Sequence, residues 1–448
     1  MRLFLPLSLL MLCSTALAQT VWRAGTAKVA ITPDQPVWMA GYASRIKPSE
    51  GATHELYAKA LALQDRRGQR VVIVTTDVLG LPRSLGESIA SRIERQYKLP
   101  RASLVLSSSH THTGPVPFRE LEGAYFFDET QVAAIHRNDQ RMADKIVAVV
   151  GEALQKLAPA VLSFGRGTAD FAINRRVNRD GRYVFGSNRE GVKDDDVPLL
   201  RVTGSGGNLL AVLFSYACHN TTLTESFYKF NGDYAGYAQM EIEQANPGAI
   251  AMFMMGAGAD INPEPRGKVE MAMAHGKALA ASVAKILNGS LAPVSGGLKP
   301  AYTKITLPLE PYTREQLQLL KQDKDRFRRA YAERWLERLA LQGKVMTSYD
   351  YPLQLIKLGE LTFVAMAGEV VVDYVLRLKR ELGAERLWVT AYCNDVMAYI
   401  PSARILREGG YEADYSMLYY DLPGKWQPEV EELIVRRILD LTRKAGRK

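Results

Sequence analysis

The stretch Leu104-Val105-Leu106-Ser107-Ser108-Ser109-His110-Thr111-His112-Thr113-Gly114-Pro115 decides the reading of the chain. An apolar run of strand character passes without a break into a polar turn carrying two histidines. The same grammar recurs four times. Leu209–Ala217 runs into Cys218-His219-Asn220-Thr221-Thr222, and Ile250–Met255 into Gly256-Ala257-Gly258-Ala259-Asp260-Ile261-Asn262-Pro263. Leu361–Ala367 runs into Gly368-Glu369, and Leu387–Tyr392 into Cys393-Asn394-Asp395. Helical patterns separate these and similar strands, such as Ser84–Tyr97, Gln131–Leu157, Gly267–Leu287 and Val370–Leu382. The alternation predicts an α/β fold with mixed sheets flanked by helices. Ligands of such folds bind at the carboxyl ends of strands, so five ends bearing His, His, Asp, Glu and Asn are expected to converge on one site.

Chemistry narrows the site further. Two residues apart on a strand, His110 and His112 would point the same way. Only six histidines occur in 448 residues, and His219 sits at another strand end. Neutral imidazoles with one carboxylate make a zinc set that leaves a position open. Hydrogen-bonded structural histidines are the competing reading at this point. His54, His136 and His275 lack such company and are assigned structural or surface places.

The N-terminus reads as an export signal. Arg2 precedes the apolar run Leu3–Leu12, and Ala16-Leu17-Ala18 gives a small-x-small cleavage pattern. The expectation is a 1–18 signal peptide cleaved after Ala18, one large domain over 19–448, and a periplasmic or secreted protein without a transmembrane anchor. Cys218 and Cys393 then remain, either bonded to each other or as two buried thiols. No linker or repeat divides the chain. With 47% hydrophobic and 23% charged residues the composition is globular. The net charge of +9 is a modest excess, unaccompanied by any nucleic-acid-binding motif, so no nucleic-acid partner is expected. The segment Tyr312–Leu341 reads as one long charged helix, either a solvated face or a lid.

These strings together resemble the neutral/alkaline (non-lysosomal) ceramidases, zinc amidases that cleave the N-acyl bond of ceramide. Gly41-Tyr42-Ala43 with Thr53-His54-Glu55-Leu56-Tyr57-Ala58-Lys59-Ala60 is similar to the family's opening pattern. The His110 block resembles its Thr-His-Thr-His-Ser-Gly-Pro motif. Ala217–Thr221 followed by Gly232–Ala238 resembles its second histidine block. Gly368-Glu369 stands where the family has Pro-Gly-Glu, and Asn394–Tyr399 with Tyr411-Glu412 resembles its tyrosine block.

By that resemblance His110, His219, Glu369 and Tyr399 match the zinc ligands, with Tyr399 preferred to Tyr392 because it lies five residues after Asn394. His112 matches a second active-site imidazole, Arg175 a substrate-holding arginine, and Tyr411 a donor to the tetrahedral intermediate. Asp233 and Asp77 would support these groups from behind. Two departures stand out. Asn262 occupies the position of a family serine proposed to take part in catalysis, so attack is expected from zinc-activated water, with Asn262 bonding the substrate or the oxyanion. The expectation is also that the family's immunoglobulin-like C-terminal domain is missing, since only one helix, Pro428–Arg443, closes the sequence. The implied function is a Zn2+-dependent hydrolase of an amide (N-acyl) or ester bond in a small-molecule or lipid-like substrate, with peripheral membrane contact possible. The alternatives are a non-catalytic zinc-retaining binding protein and a hydrolase of glycan or cell-wall material. Oligomeric state is not legible.

Overall fold

A computed structural model of the chain describes residues 22–119 and 121–446. The signal-peptide expectation therefore lies outside the described residues. No helix among the described residues is long and apolar enough to cross a membrane.

The larger sheet is built from β1 (Trp22–Ala30), β2 (Tyr57–Gln64), β3 (Arg70–Thr76), β4 (Leu104–Ser108) and β5 (Ala158–Thr168). After a ribbon of β6 (Ala172–Arg179) and β7 (Arg182–Asn188), the chain adds β8 (Asp196–Gly204), β9 (Leu209–Tyr216) and β10 (Ile250–Met255) to it. The strand order is β10-β9-β8-β5-β1-β2-β3-β4. The short β11 (Ile261–Pro263) joins the ribbon, and β12 (Ala292–Pro293) pairs with β5. The second sheet has the order β17-β15-β14-β13-β19, from β13 (Leu298–Pro311), β14 (Ser348–Leu358), β15 (Leu361–Met366), β17 (Leu387–Thr390) and β19 (Gly424–Trp426). Two residues each of β16 (Glu369–Val370) and β18 (Tyr399–Ile400) pair in parallel beside it.

Strand alternation divides the core. On β3, Val71 and Ile73 face the second sheet, where they pack with Ile356, Leu358, Phe363 and Trp388. Val72 and Val74 face the opposite way. There they meet α1 (Arg83–Tyr97) and α2 (Glu129–Gln155) through residues such as Ile89, Ile93, Ile146 and Val150. The outer face of β8–β10 is covered by α3 (Asp233–Ala245) and α4 (Val269–Leu287). Beyond the second sheet lie α7 (Val372–Leu382) and α9 (Val430–Gly446), following α5 (Arg314–Leu320), α6 (Arg326–Gln342) and α8 (Ala403–Glu408) in the remaining connections. Strands buried on both faces read as continuous apolar runs, which is why these segments stood out in the sequence.

Two expectations need correcting. The charged segment 312–341 is two helices, not one. Asp325 caps α6 by accepting from the Phe327 N–H at 2.8 Å, because Asp323-Lys324-Asp325 supplies a better helix start than a helix interior. Nor do the strand ends share a single edge. Following the pairings across the sheet, β4 runs against β9. Their carboxyl ends nonetheless meet, because the sheet curls until β4 and β10, at opposite ends of the order, touch. An isolated bridge between Thr111 and Asn220 closes the gap.

Candidate metal centre and its cavity

His110 lies two residues past the end of β4, in the left-handed conformation at φ 60°. The strand ends at Ser108, so alternation along a strand does not aim the two imidazoles. The turn does, setting the His110 and His112 rings 4.9 Å apart at 85°. The His110 N–H bonds Val78 O at 3.0 Å, and its ring Nδ1 lies 2.7 Å from Leu79 O. A carbonyl only accepts, so Nδ1 carries a proton and Nε2 is the nitrogen turned into the site. His219 repeats the device with Nδ1 2.9 Å from Gly258 O.

Both Nε2 atoms face one carboxylate. Glu369 Oε2 lies 3.0 Å from His110 Nε2 and 3.1 Å from His219 Nε2, while Tyr420 donates its hydroxyl to Oε1 at 2.5 Å. His112 Nε2 stands 3.2 Å from His110 Nε2. One ligand atom from each of the three histidines lies within 4.8 Å of the other two, so this trio could hold a metal ion. Acceptor atoms so arranged repel one another unless a proton or a cation sits among them. Backbone carbonyls fixing the far ring nitrogen are the usual support of metal-ligating imidazoles, and the donor set suits zinc.

The electrostatics agree. Burial, with the Arg175 charge adding to it, lowers His219 to about 4, so that ring is neutral at physiological pH. Burial and the two neighbouring imidazoles push His112 well below the ordinary value. Burial alone would raise the Glu369 carboxyl, but His110 and His219 outweigh it and hold it well below the usual range. Burial and the Glu369 charge raise the Tyr399 phenol well above ten.

A second cluster lies beside the first. Opposite Arg175 the pairing of β6 with β7 is broken by a bulge whose extra residue lies on β7, between Phe185 and Asn188, and the Arg175 side chain turns inward. Its guanidinium donates to Glu412 Oε1 at 2.9 Å, to the Tyr399 hydroxyl at 3.1 Å and to Asn262 Oδ1 at 3.3 Å. Thr221 donates to the same Asn262 oxygen at 3.4 Å. Because guanidinium has no acceptor, these bonds fix the amide orientation and leave Asn262 Nδ2 as the side facing away from Arg175. Tyr399 completes the link, its hydroxyl 3.4 Å from His219 Nε2. The Tyr411 ring stands 5.3 Å from that of Tyr399.

These groups open onto a cavity of about 480 Å³ whose walls include His112, Arg175, Thr221, Asn262, Tyr399 and Tyr411. Gly41 forms its floor at φ 96°; a Cβ there would come 2.4 Å from His112 Nδ1. Only glycine fits under that ring. Arg45, buried, braces the turn by donating to His112 O at 2.8 Å.

The sequence model of the neutral/alkaline non-lysosomal ceramidase N-terminal region matches residues 22–285. The chain belongs to the neutral/alkaline non-lysosomal ceramidase family. Neutral ceramidase A of Dictyostelium discoideum is 26% identical over 266 residues, 55% of this chain and 36% of that protein. The neutral ceramidase of Pseudomonas aeruginosa is 23% identical over 256 residues, 54% of this chain and 37% of that protein. The sequence match thus spans about a third of the length of these curated relatives. The crystal structure of the Pseudomonas aeruginosa neutral ceramidase superposes with a TM-score of 0.73 at 18% identity, covering 94% of this chain and 74% of that one. A ceramidase complexed with C2 gives 0.74, also at 18% identity, over 95% and 76%. The fold is shared. Within this family member Glu369, Tyr399 and Tyr411 lie beyond the residues that the sequence model matches.

The structure brings together His110, His112, His219, Glu369, Tyr399, Arg175, Asn262 and Tyr411. It does not bring in all five strand ends. Asp260 accepts from the Val372 N–H at 2.9 Å and from Asn174 at 3.2 Å, pinning β11 to β6 and α7. Asn394 bonds Leu106 N and Gln354, a packing role. Asp233 accepts from Leu223 N and Tyr234 N, and Asp77 from Tyr57 N and Gln239, both behind the histidine loops. Cys218 and Cys393 are free and buried, so the disulfide alternative falls. The Tyr392 ring packs tilted against His110, centroids 4.4 Å apart, while its hydroxyl has no hydrogen-bond partner among the described residues.

Sequence reading missed Tyr420 and the pairing of Glu412 with Arg175. Tyr420 follows no strand end and sits in a run of tyrosines, so nothing local distinguishes it. Glu412 was quoted in the tyrosine block, but its partner is 237 residues away.

Proposed function

We propose that this protein is an exported, Zn2+-dependent hydrolase that cleaves an amide (N-acyl) or ester bond of a small-molecule or lipid-like substrate. One observation carries the reading. The Nε2 atoms of His110 and His219 converge on the Glu369 carboxylate at one end of a cavity whose walls supply donors. His110, His219, Glu369 and Tyr399 would hold the metal, which supplies Lewis acidity toward a carbonyl oxygen and acidifies water near neutral pH. Ceramide, named for the relatives, is one N-acyl amide of this kind.

The chain's own groups divide the remaining work. His112, kept neutral by burial and its neighbours, takes a proton at Nε2 from the attacking water and returns it to the leaving amine or alcohol. Asn262 Nδ2 and the Tyr411 hydroxyl donate to the carbonyl oxygen as it gains charge. Arg175 holds Asn262 and Tyr399 in place through the contacts at 3.3 and 3.1 Å. Asparagine at position 262 cannot serve as an alkoxide nucleophile, so water is the attacking group.

The test is zinc content of the purified mature chain together with turnover of a panel of N-acyl amides and esters. Chelation should abolish turnover and zinc should restore it. A zinc-loaded sample that hydrolyses no member of the panel would favour a non-catalytic zinc-binding protein.

A further inference from the structure

We propose that the cavity selects an anionic amphiphile, a substrate whose polar half carries a carboxylate or another oxyanion bound by Arg266 and Arg326. The inference rests on the hydrolytic reading of the same site and names the substrate class. Among the described residues the cavity wall contains three arginines, Arg175, Arg266 and Arg326, and no aspartate or glutamate. Arg175 is committed, with Glu412 Oε1 at 2.9 Å. The other two form no ion pair among the described residues. Arg266 donates to the Tyr42 hydroxyl at 3.3 Å, and Arg326 to Ala43 O at 3.3 Å. The Arg326 guanidinium also lies 4.7 Å from the centre of the Phe327 ring. Each contact holds a cation in place without neutralising it.

Consecutive residues, Tyr42 and Ala43, therefore anchor both cations to one wall. The Tyr42 ring stands 5.0 Å from that of His112, which places this wall one side chain away from the reacting centre. Glu225 and Asp233 act on Tyr42 electrostatically, but neither lines the cavity. Elsewhere this protein pairs its arginines heavily: Arg377 alone meets Glu381, Glu431 and Glu432. Two forked donors left unpaired on the wall of a cavity match the geometry of a carboxylate or phosphate. Phe185, Phe327 and Tyr419 supply the apolar remainder of the wall for an acyl chain.

The experiment compares N-dodecanoylglycine with N-dodecanoylglycinamide, a pair differing only in the charge, on zinc-loaded protein. The expected kcat/KM ratio favours the anion by about tenfold or more, in line with a charge-assisted hydrogen bond in a half-open site, and shrinks as salt is added. Arg266→Ala and Arg326→Ala should each lower the ratio several-fold, and Arg326→Lys should restore part of it. Equal rates on the pair, or a ratio unmoved by both alanine variants, would overturn the proposal. Calorimetric titration with dodecyl phosphate and with uncharged dodecyl maltoside separates the two readings and the two oxyanion sources. Phosphate binding lost in Arg266→Ala at unchanged zinc content, without turnover of either amide, supports the anion site and removes the hydrolase. Turnover of the glycinamide with no binding of the anion does the reverse.

Discussion

Replacing Asn262 separates chemistry from architecture. Its Oδ1 accepts from Arg175 at 3.3 Å and from Thr221 at 3.4 Å, both long, so the side chain contributes less than about 1 kcal/mol to stability. Its Nδ2 is the part assigned to the substrate oxygen. Asn262→Asp keeps the shape and the acceptor, adds attraction to Arg175, and removes both N–H donors. Loss of one preorganised donor to a developing oxyanion costs about 10²–10³ in kcat. The expectation is that kcat falls by that factor in Asn262→Asp and in Asn262→Ala while zinc content and melting temperature hold. Asn262→Ser restores a hydroxyl but shortens the reach, so it should fall between the wild type and alanine. The assay is release of the acyl group from an N-acyl amide at matched zinc occupancy. Alanine or aspartate variants within threefold of wild type would refute the donor role. A serine variant more than tenfold faster than wild type would show that the site is built for a hydroxyl nucleophile and that water is only what remained.

Other expectations follow from neighbouring geometry. His110→Ala and His219→Ala should lose bound zinc and activity together, as read by elemental analysis and turnover, whereas His112→Ala should keep zinc and lose about 10² or more in kcat. Tyr420→Phe removes the 2.5 Å donor from Glu369, and weakened zinc affinity by roughly 10- to 100-fold in a chelator competition is expected. Gly41→Ala should displace the His112 ring and depress kcat with the metal retained, since the added carbon meets that ring at 2.4 Å. Burial lifts the Asp139 carboxyl from 3.8 to about 7, opposed only by the Phe118 N–H. A raised folded value means stability present below about pH 4 and lost as pH climbs through 7, worth at most about 4 kcal/mol. An amide in place of that carboxyl would still accept from Phe118, so the melting-temperature gain of Asp139→Asn should be small at pH 4.5 and largest above pH 7. A gain independent of pH would contradict that account.

The strands that carry the site were legible because they are buried on both faces. Leu104–Ser108 and Ile250–Met255 coincide with the observed elements, and Leu209–Ala217 and Leu361–Ala367 overrun theirs by one residue. The partly exposed strands β6, β7 and β13 left no such run, since much of their length is exposed or half-buried and carries polar and charged residues. Histidines at the carboxyl ends could be found locally. What could not be found was the curl that joins β4 to β10, or the partner of a side chain hundreds of residues distant. Arg175 was placed by resemblance, and the bulge opposite it lies on β7, a feature of the pairing that no local pattern encodes. The break at 321–325 was readable in principle from Asp323-Lys324-Asp325, but the surrounding charge masked it.

That bulge has an arithmetic consequence. Neighbours on a regular strand face opposite ways, yet Arg175 and Arg176 grip the two oxygens of one carboxylate, Glu412. The extra residue lies on the facing strand: three steps of β7, from Phe185 to Asn188, span the two of β6 from Arg176 to Asn174. Deleting Gly186 or Ser187 would restore even pairing and slide one end of β7 by a residue, taking either Phe185 off the cavity wall or Asn188 away from the Arg176 carbonyl. The composition would hardly change, but the backbone that seats the arginine couple would. In this ribbon, length tolerates no error of one.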